Sequence, residues 1–287
     1  MGDHLKGLII TTIGVLLVVP DSLFVRLIHA EPMVTAFWRS ITSGFLILCF
    51  IILFQGLNGF RVLLRTRWYG LLYIVLIGTT APAFVMAVTY TSVANVVFIF
   101  ASMPVFAALF SRILLGEHIH KRMVLTMSAV IFGLAIIAYG SGFSQIASWK
   151  GDLWALYVSG AFAAALTTVR SVKSTSMIPA LPFAYLGGAI LMSLFTEPLN
   201  AFYIQWPIIL GHGLFIGGAS CLLAIGPRYI KSAEVSLLIL LESVLAPILV
   251  WAVIGEDPGY WTIIGGLVVI TSLIFSNLYV LTEQKLS

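Results

Sequence analysis

Ten apolar windows, each about as long as a bilayer-crossing helix, leave this chain almost no freedom in what it can become. They run Leu8–Phe24, Met33–Phe54, Trp68–Thr89, Val93–Leu115, Met123–Tyr139, Leu153–Val169, Ile178–Phe195, Pro207–Ile225, Ala233–Ile254 and Trp261–Leu281. A helix needs about 20 apolar residues to span the hydrocarbon core. The seventh window is the least regular: Pro179 and Pro182 open it and Glu197-Pro198 close it. Connections are short, the longest being QGLNGFRVLLRTR from Gln55 to Arg67. Any function must therefore sit among the helices. Composition agrees: 60% of the 287 residues are hydrophobic, 9% are charged and the mean hydropathy is +1.09. A soluble domain carries about 25% charged residues. The fold class expected is an all-α polytopic membrane protein.

The basic residues orient the bundle. On the N-terminal side, the loops hold Lys6, Arg61, Arg65, Arg67, Lys121, Arg122, Arg170, Lys173, Arg228, Lys231 and Lys285; the opposite loops hold Arg26 and Lys150. The excess of Lys and Arg marks the cytoplasmic face, which puts both termini there and suits a bacterial inner membrane. The opposite face is called the outer side below. MGDHLK leads into the first window with no small-residue cleavage site after it, so that window reads as a span. A net charge of +4, dispersed in this way, gives no footing for nucleic acid. Cys49 and Cys221 lie inside apolar windows and form no CxxC pair.

The chain repeats itself. YTSVANVVFIF…LLGE (Tyr90 to Glu117) resembles YIKSAEVSLLI…VIGE (Tyr229 to Glu256), with Tyr90/Tyr229, Ala94/Ala233, Gly116/Gly255 and Glu117/Glu256 all 139 residues apart. IGTTA at Ile77 and IGGAS at Ile216 keep that offset; Lys6-Gly7 and Arg26 match Lys150-Gly151 and Arg170 at 144. The expected organisation is residues 1–145 as a first five-helix repeat and 146–287 as a second. Five is odd, so the second enters from the other face, and inverted repeats are a device of secondary transporters.

The segments ESVLAPILVWAVIGEDP, SMPVFAALFSRILLGE and FWR resemble those of EamA-type permeases of the drug/metabolite transporter superfamily. The resemblance covers essentially the whole chain. It implies ten helices and a central cavity lined by spans one to four and six to nine, with five and ten peripheral. One departure is Ser243, where such proteins often place proline; this chain has Pro247 instead.

The repeat also sorts the polar residues. Gly116-Glu117 and Gly255-Glu256 occur in both halves and read as helix ends, each Gly a terminator and each Glu an anion near the start of the next helix. Asp21, Arg39 and Glu242 occur in one half only; their counterparts are Ala165, Phe183 (by rough alignment) and Met103. A charge at mid-bilayer costs on the order of 3 kcal/mol unless it is paired, hydrated or protonated. Asp21 follows Pro20, which interrupts the helix. Three readings are open for it: a pair with Arg39, a pair with Arg26 at the rim, or a cap on a broken helix. Arg39 is either a structural partner or a receptor for an anionic substrate group. Glu242 is either a neutral, hydrogen-bonded acid or a cavity carboxylate for a cationic group or a coupling proton.

Further candidates are Asn95 and Glu234 at the openings of spans four and nine, His212 on span eight, and Trp38, Tyr90, Phe98, Met103 and Trp251 as cavity lining. Arg112 is expected to snorkel. His118 and His120 lack a third ligand, so no metal is expected, nor any cofactor. Gly78 with Pro82, and Gly217-Gly218-Ala219-Ser220, read as close-packing or hinge positions.

The leading function is a secondary transporter, an exporter of small metabolites working by alternating access. Protons or a substrate gradient would drive it, since no GxxxxGK[ST] is present. One cation with carboxylates and aromatics favours amino-acid-like zwitterions; nucleobases and amphipathic drugs are the alternatives. GGASC at Gly217 lacks the partners of an intramembrane protease, so no enzyme is expected. A channel needs a continuous polar path, for which polar residues are too sparse. The partners expected are a small-molecule substrate and the lipid bilayer; a homodimer is not required.

Overall fold

A computed structural model describes the backbone of residues 3–116, 118–119, 121–172, 176–225, 229 and 232–286. It describes their side chains except at 3, 57, 58, 62, 64, 65, 122, 170, 224, 232–237, 277 and 279–286. Among these residues every regular element is helical. In chain order the α-helices are α1 (Asp3–Val18), α2 (Asp21–Leu27), α3 (Pro32–Gln55), α4 (Arg61–Thr66), α5 (Trp68–Tyr90), α6 (Val93–Phe100), α7 (Met103–Leu115), α8 (Lys121–Ser141), α9 (Trp149–Ser171), α10 (Leu181–Ser193), α11 (Leu199–Ile225), α12 (Ser232–Ile254) and α13 (Tyr260–Leu286), with short 3-10 helices at Leu57–Phe60 and Ile178–Ala180. Seven segments are long and apolar enough to cross a membrane, and Ile178–Ser193, Leu238–Ile254 and Tyr260–Ser276 are shorter apolar helices among the described residues.

Two windows read as single spans are broken helices. Span one divides at Val19-Pro20 into α1 and α2. Proline has no N–H to continue the ladder, and the Phe24 amide restarts it by donating to the Pro20 carbonyl at 2.9 Å. Span four divides at Ala101-Ser102, before Pro104, into α6 and α7. Their counterparts α9 and α12 run unbroken. At the offset of 139, Pro104 corresponds to Ser243. Ser243 keeps α12 continuous there, and its hydroxyl donates to the Val97 carbonyl on α6 at 3.3 Å. Span eight is bent: Gln205 leaves helical geometry (φ −122°, ψ 18°), two residues before Pro207.

The packing pairs exchange when the two halves are swapped. α5 lies on α9 as α11 lies on α1; α7 lies on α9 as α12 lies on α1; α10 meets both α3 and α5, as α3 meets both α10 and α11. α8 and α13, spans five and ten, pack on each other. Their crossing is made by two glycines. A Cβ on Gly265 would stand 2.6 Å from the Gly133 carbonyl oxygen, and one on Gly133 2.8 Å from that of Gly265. Small residues let membrane helices approach this closely, where no hydrophobic effect drives them together. Gly78 and Gly217 are likewise packed, against the Ala184 carbonyl and the Leu46 side chain.

Gly265→Val must part α8 from α13. Overpacking of this kind costs about 1–3 kcal/mol. In detergent the variant is expected to melt several degrees below wild type by scanning fluorimetry; an unchanged melting temperature would contradict the close crossing.

Candidate functional site

Pro20 sets the centre of the molecule. By ending α1 it lets Asp21 open a new helix with its carboxylate turned into the bundle, where Asp21 is 2% exposed. Arg39, one turn beyond Thr35 on α3, meets it as a two-pronged pair: Nε donates to Oδ1 at 3.0 Å and NH2 to Oδ2 at 2.6 Å. Such forks are the strongest geometry available to a guanidinium and a carboxylate. His212 on α11 adds a third contact, Nε2 to Oδ1 at 2.6 Å. Phe24 stacks on the imidazole at 5.3 Å between centroids, and the Phe84 ring lies 5.3 Å from the guanidinium carbon. Spans one, two and eight are thus tied through one carboxylate. The approach depends on Gly213: a Cβ there would collide with Thr42 on α3.

This geometry decides between the readings of Asp21. Its partner is Arg39. α2 has no side-chain cap, and Arg26 is engaged elsewhere. Arg26 Nε lies 2.8 Å from Glu256 Oε2, and its NH2 donates to the Thr91 carbonyl at 3.0 Å. Glu256 also departs from its expected place. Its Oε1 accepts the Val93 amide at 2.7 Å, so it caps α6, not the helix that follows it in sequence. Gly116 and Gly255 end their helices in the left-handed region, at φ 68° and 73°. Glu117 lies outside the described residues, as does the side chain of Glu234.

Glu242 on α12 is 8% exposed. Among the described residues it makes no hydrogen bond or ion pair, although the charges of Asp21 and Arg39 act on it. It is a buried acid beside a closed ion pair, with no partner of its own among the described residues. Three other polar atoms in the bundle are buried without a partner among the described residues: Thr11 Oγ1, Ser40 Oγ and His212 Nδ1.

Asn95 is fully buried and does not line an open rim. Its amide nitrogen donates to Ser141 Oγ (2.8 Å), Asp152 Oδ1 (3.0 Å) and Thr91 Oγ1 (3.2 Å), and its carbonyl oxygen accepts Thr262 Oγ1 (2.6 Å). Asp152 also accepts Thr91 Oγ1 at 2.7 Å and Ser141 Oγ at 2.5 Å. This node joins the outer ends of spans three, four, five, six and ten. Sequence reading overlooked Asp152, Thr91, Ser141 and Thr262. Each stands at a helix end, where a polar residue looks like ordinary capping; the only signal was that five polar residues gather at ends expected on one face.

The aromatic candidates scatter. Trp38 donates to the Pro198 carbonyl at 2.7 Å and stacks on Phe202, which pins span two to the start of span eight. Phe98 packs against Gly266 on α13 and belongs to the apolar core. Met103 is buried at the start of α7. Trp251 is 59% exposed on the outer surface of the bundle. Tyr90 borders a groove of about 520 Å³ with Trp149, Lys150, Trp154 and Tyr157. A larger cavity, about 890 Å³, opens at the outer mouth between α3, α10 and α11. Glu31, Glu197, His29, Asn200 and Gln205 line it, with Val34 one turn above Trp38. Its size is that of a small-molecule site.

The sequence matches the model of the EamA-like transporter family twice, over residues 5–139 and 149–278. The chain is a member of the EamA-like transporter family. It is 28% identical over 192 residues to a Bacillus subtilis (strain 168) protein described as "Uncharacterized transporter YdfC"; the match spans 64% of this chain and 62% of that protein's length. A solved crystal structure at 17% identity superposes with a TM-score of 0.67 over 99% of this chain and 100% of its own, which is a likeness of fold.

Asp152→Leu removes an acceptor shared by three buried donors: Asn95 Nδ2 keeps Ser141 and Thr91, Ser141 Oγ keeps the Ile137 carbonyl, and the Thr91 hydroxyl is stranded. A stranded buried group costs about 1–3 kcal/mol, so the variant is expected to melt several degrees below wild type in detergent, with Asp152→Asn between the two. Equal melting of all three proteins would show that the node carries no stability.

Proposed function

We propose that this EamA-family protein is an alternating-access carrier that exports small amine-bearing metabolites, amino-acid-like zwitterions foremost, across a bacterial inner membrane with both termini in the cytoplasm. Glu242 supports the reading most directly. A buried carboxylate in a membrane bundle is costly unless something neutralises it; Glu242 is 8% exposed, and the nearby cation, Arg39, is forked onto Asp21 and makes no ion pair with it. A substrate ammonium or a proton balances the Glu242 carboxylate, and the two exclude each other. That exclusion is the elementary requirement for coupling export to proton entry. Arg39 serves the other end of a zwitterion. Asp21 uses its Nε and one edge of NH2, while a guanidinium carries five N–H donors. The two five-helix halves, 1–145 and 146–287, are the units that move against each other around this point, in the manner of inverted repeats.

Counterflow in proteoliposomes tests this. Vesicles are loaded with amino acids, nucleobases, polyamines and organic acids, and the same pool is added outside in isotope-labelled form. Saturable exchange of the amine-bearing class is expected. Glu242→Gln should lower it at least about tenfold, equivalent to about 1.4 kcal/mol. Exchange confined to nucleobases or organic acids, or undiminished in Glu242→Gln, would overturn the reading.

A further inference from the structure

His212 is wholly buried and half satisfied. Its Nε2 sits 2.6 Å from Asp21 Oδ1, and its Nδ1 has no partner among the described residues. An ionised carboxylate only accepts, so Nε2 carries the hydrogen and Nδ1 presents a bare lone pair. An imidazolium in this arrangement would bury an unpaired N–H, which costs more than an idle acceptor. The state described here therefore holds His212 neutral, with Asp21 balanced by Arg39 alone.

We propose that His212 couples one proton to the binding of one anionic group: a proton added at Nδ1 lets His212 balance Asp21 and frees Arg39 to receive a substrate carboxylate. The inference rests on the carrier reading above and concerns its anionic end. The proton comes from water when the bundle opens and forms an N–H bond at Nδ1; no other covalent bond changes. The triad then carries one excess positive charge, and the arriving carboxylate cancels it. The charged groups on the packed elements are few. α2 brings Asp21 and Arg26, the latter held by Glu256. α3 brings Arg39. α1 brings Asp3, His4 and Lys6, all within its first turn and more than two turns before Pro20; Lys6 lies over the Tyr229 ring on the cytoplasmic side. Glu242 on α12 and the Tyr185 hydroxyl on α10 act on Arg39. Phe24, stacked on His212, offers a ring face that tolerates a cationic imidazole.

The test compares an amino acid with its decarboxylated amine, leucine with isoamylamine or the corresponding pair for whichever amino acid the counterflow pool singles out. Both present an ammonium to Glu242, so its titration cancels in the ratio of their KM values. In wild type, KM for the amine relative to the amino acid should rise at least tenfold as pH falls from 8 to 5.5. In His212→Gln, which can still donate to Asp21 but cannot charge, the ratio should stay flat. A flat ratio in wild type, or an equal rise in the variant, overturns the inference. Should His212→Gln fail to fold, proton uptake by wild type in lightly buffered detergent decides: any proton displaced from Glu242 is common to both compounds, so about one proton more per amino acid bound than per amine is expected, and equal uptake for both refutes it. If neither compound exchanges, the carrier reading falls and this inference with it. If both exchange at a constant ratio, this inference alone falls.

Discussion

A buried guanidinium and a buried carboxylate, locked in a two-pronged pair, are the interaction on which the centre of this bundle depends. Neither charge is tolerable there alone. Removing one partner of such a pair costs about 3–5 kcal/mol, because the other is left uncompensated. The pair therefore dictates its surroundings. Pro20 breaks span one so that Asp21 can turn inward. Gly213 brings span eight close enough for His212 to reach the same oxygen, and Phe24 and Phe84 cover His212 and Arg39. Apolar packing alone would leave the relative height of three smooth helices poorly defined. A pair that works in one geometry fixes it.

The outer end is held by different chemistry. Glu256, from the end of span nine, caps the start of span four and holds Arg26 from the end of span one. The Asn95–Asp152 node beside it joins helix ends from both halves through neutral donors. Fully satisfied polar networks are rigid and specific, whereas partly satisfied ones are where a structure can change. By that measure the outer node is a fastening. The centre, where Thr11 Oγ1, Ser40 Oγ and His212 Nδ1 are buried without a partner among the described residues beside the 8% exposed Glu242, is the part poised to accept something. The cavity of about 890 Å³ at the outer mouth lies one turn above Trp38, next to Arg39 in sequence.

Spans, fold class and family were legible because apolar runs of bilayer length and the repeated GE endings are long-wavelength signals, insensitive to detail. Asp21, Arg39, His212 and Glu242 were legible one by one, because charge and imidazole are conspicuous in apolar sequence. What could not be read was their joining. Asp21 had Arg39 and Arg26 within reach, and only the turn at Pro20 together with the seat of Arg26 on Glu256 decides between them. Glu256 was misplaced because the helix it caps is remote in sequence. Phe98 was offered as cavity lining but packs on Gly266, since an aromatic ring carries no mark of which face of its helix is wet. Asp152 escaped notice because a carboxylate in the first turn of a helix is ordinary.

The claim that one ion pair organises the centre is tested most directly by a double-mutant cycle on Asp21→Asn and Arg39→Met, with unfolding in mixed micelles as the readout. The account predicts that each single variant loses about 3 kcal/mol or more and that the double variant regains most of the loss, since no uncompensated charge remains. Additive losses, with the double variant worse than either single one, would mean that the two residues act independently and that something else holds spans one, two and eight together.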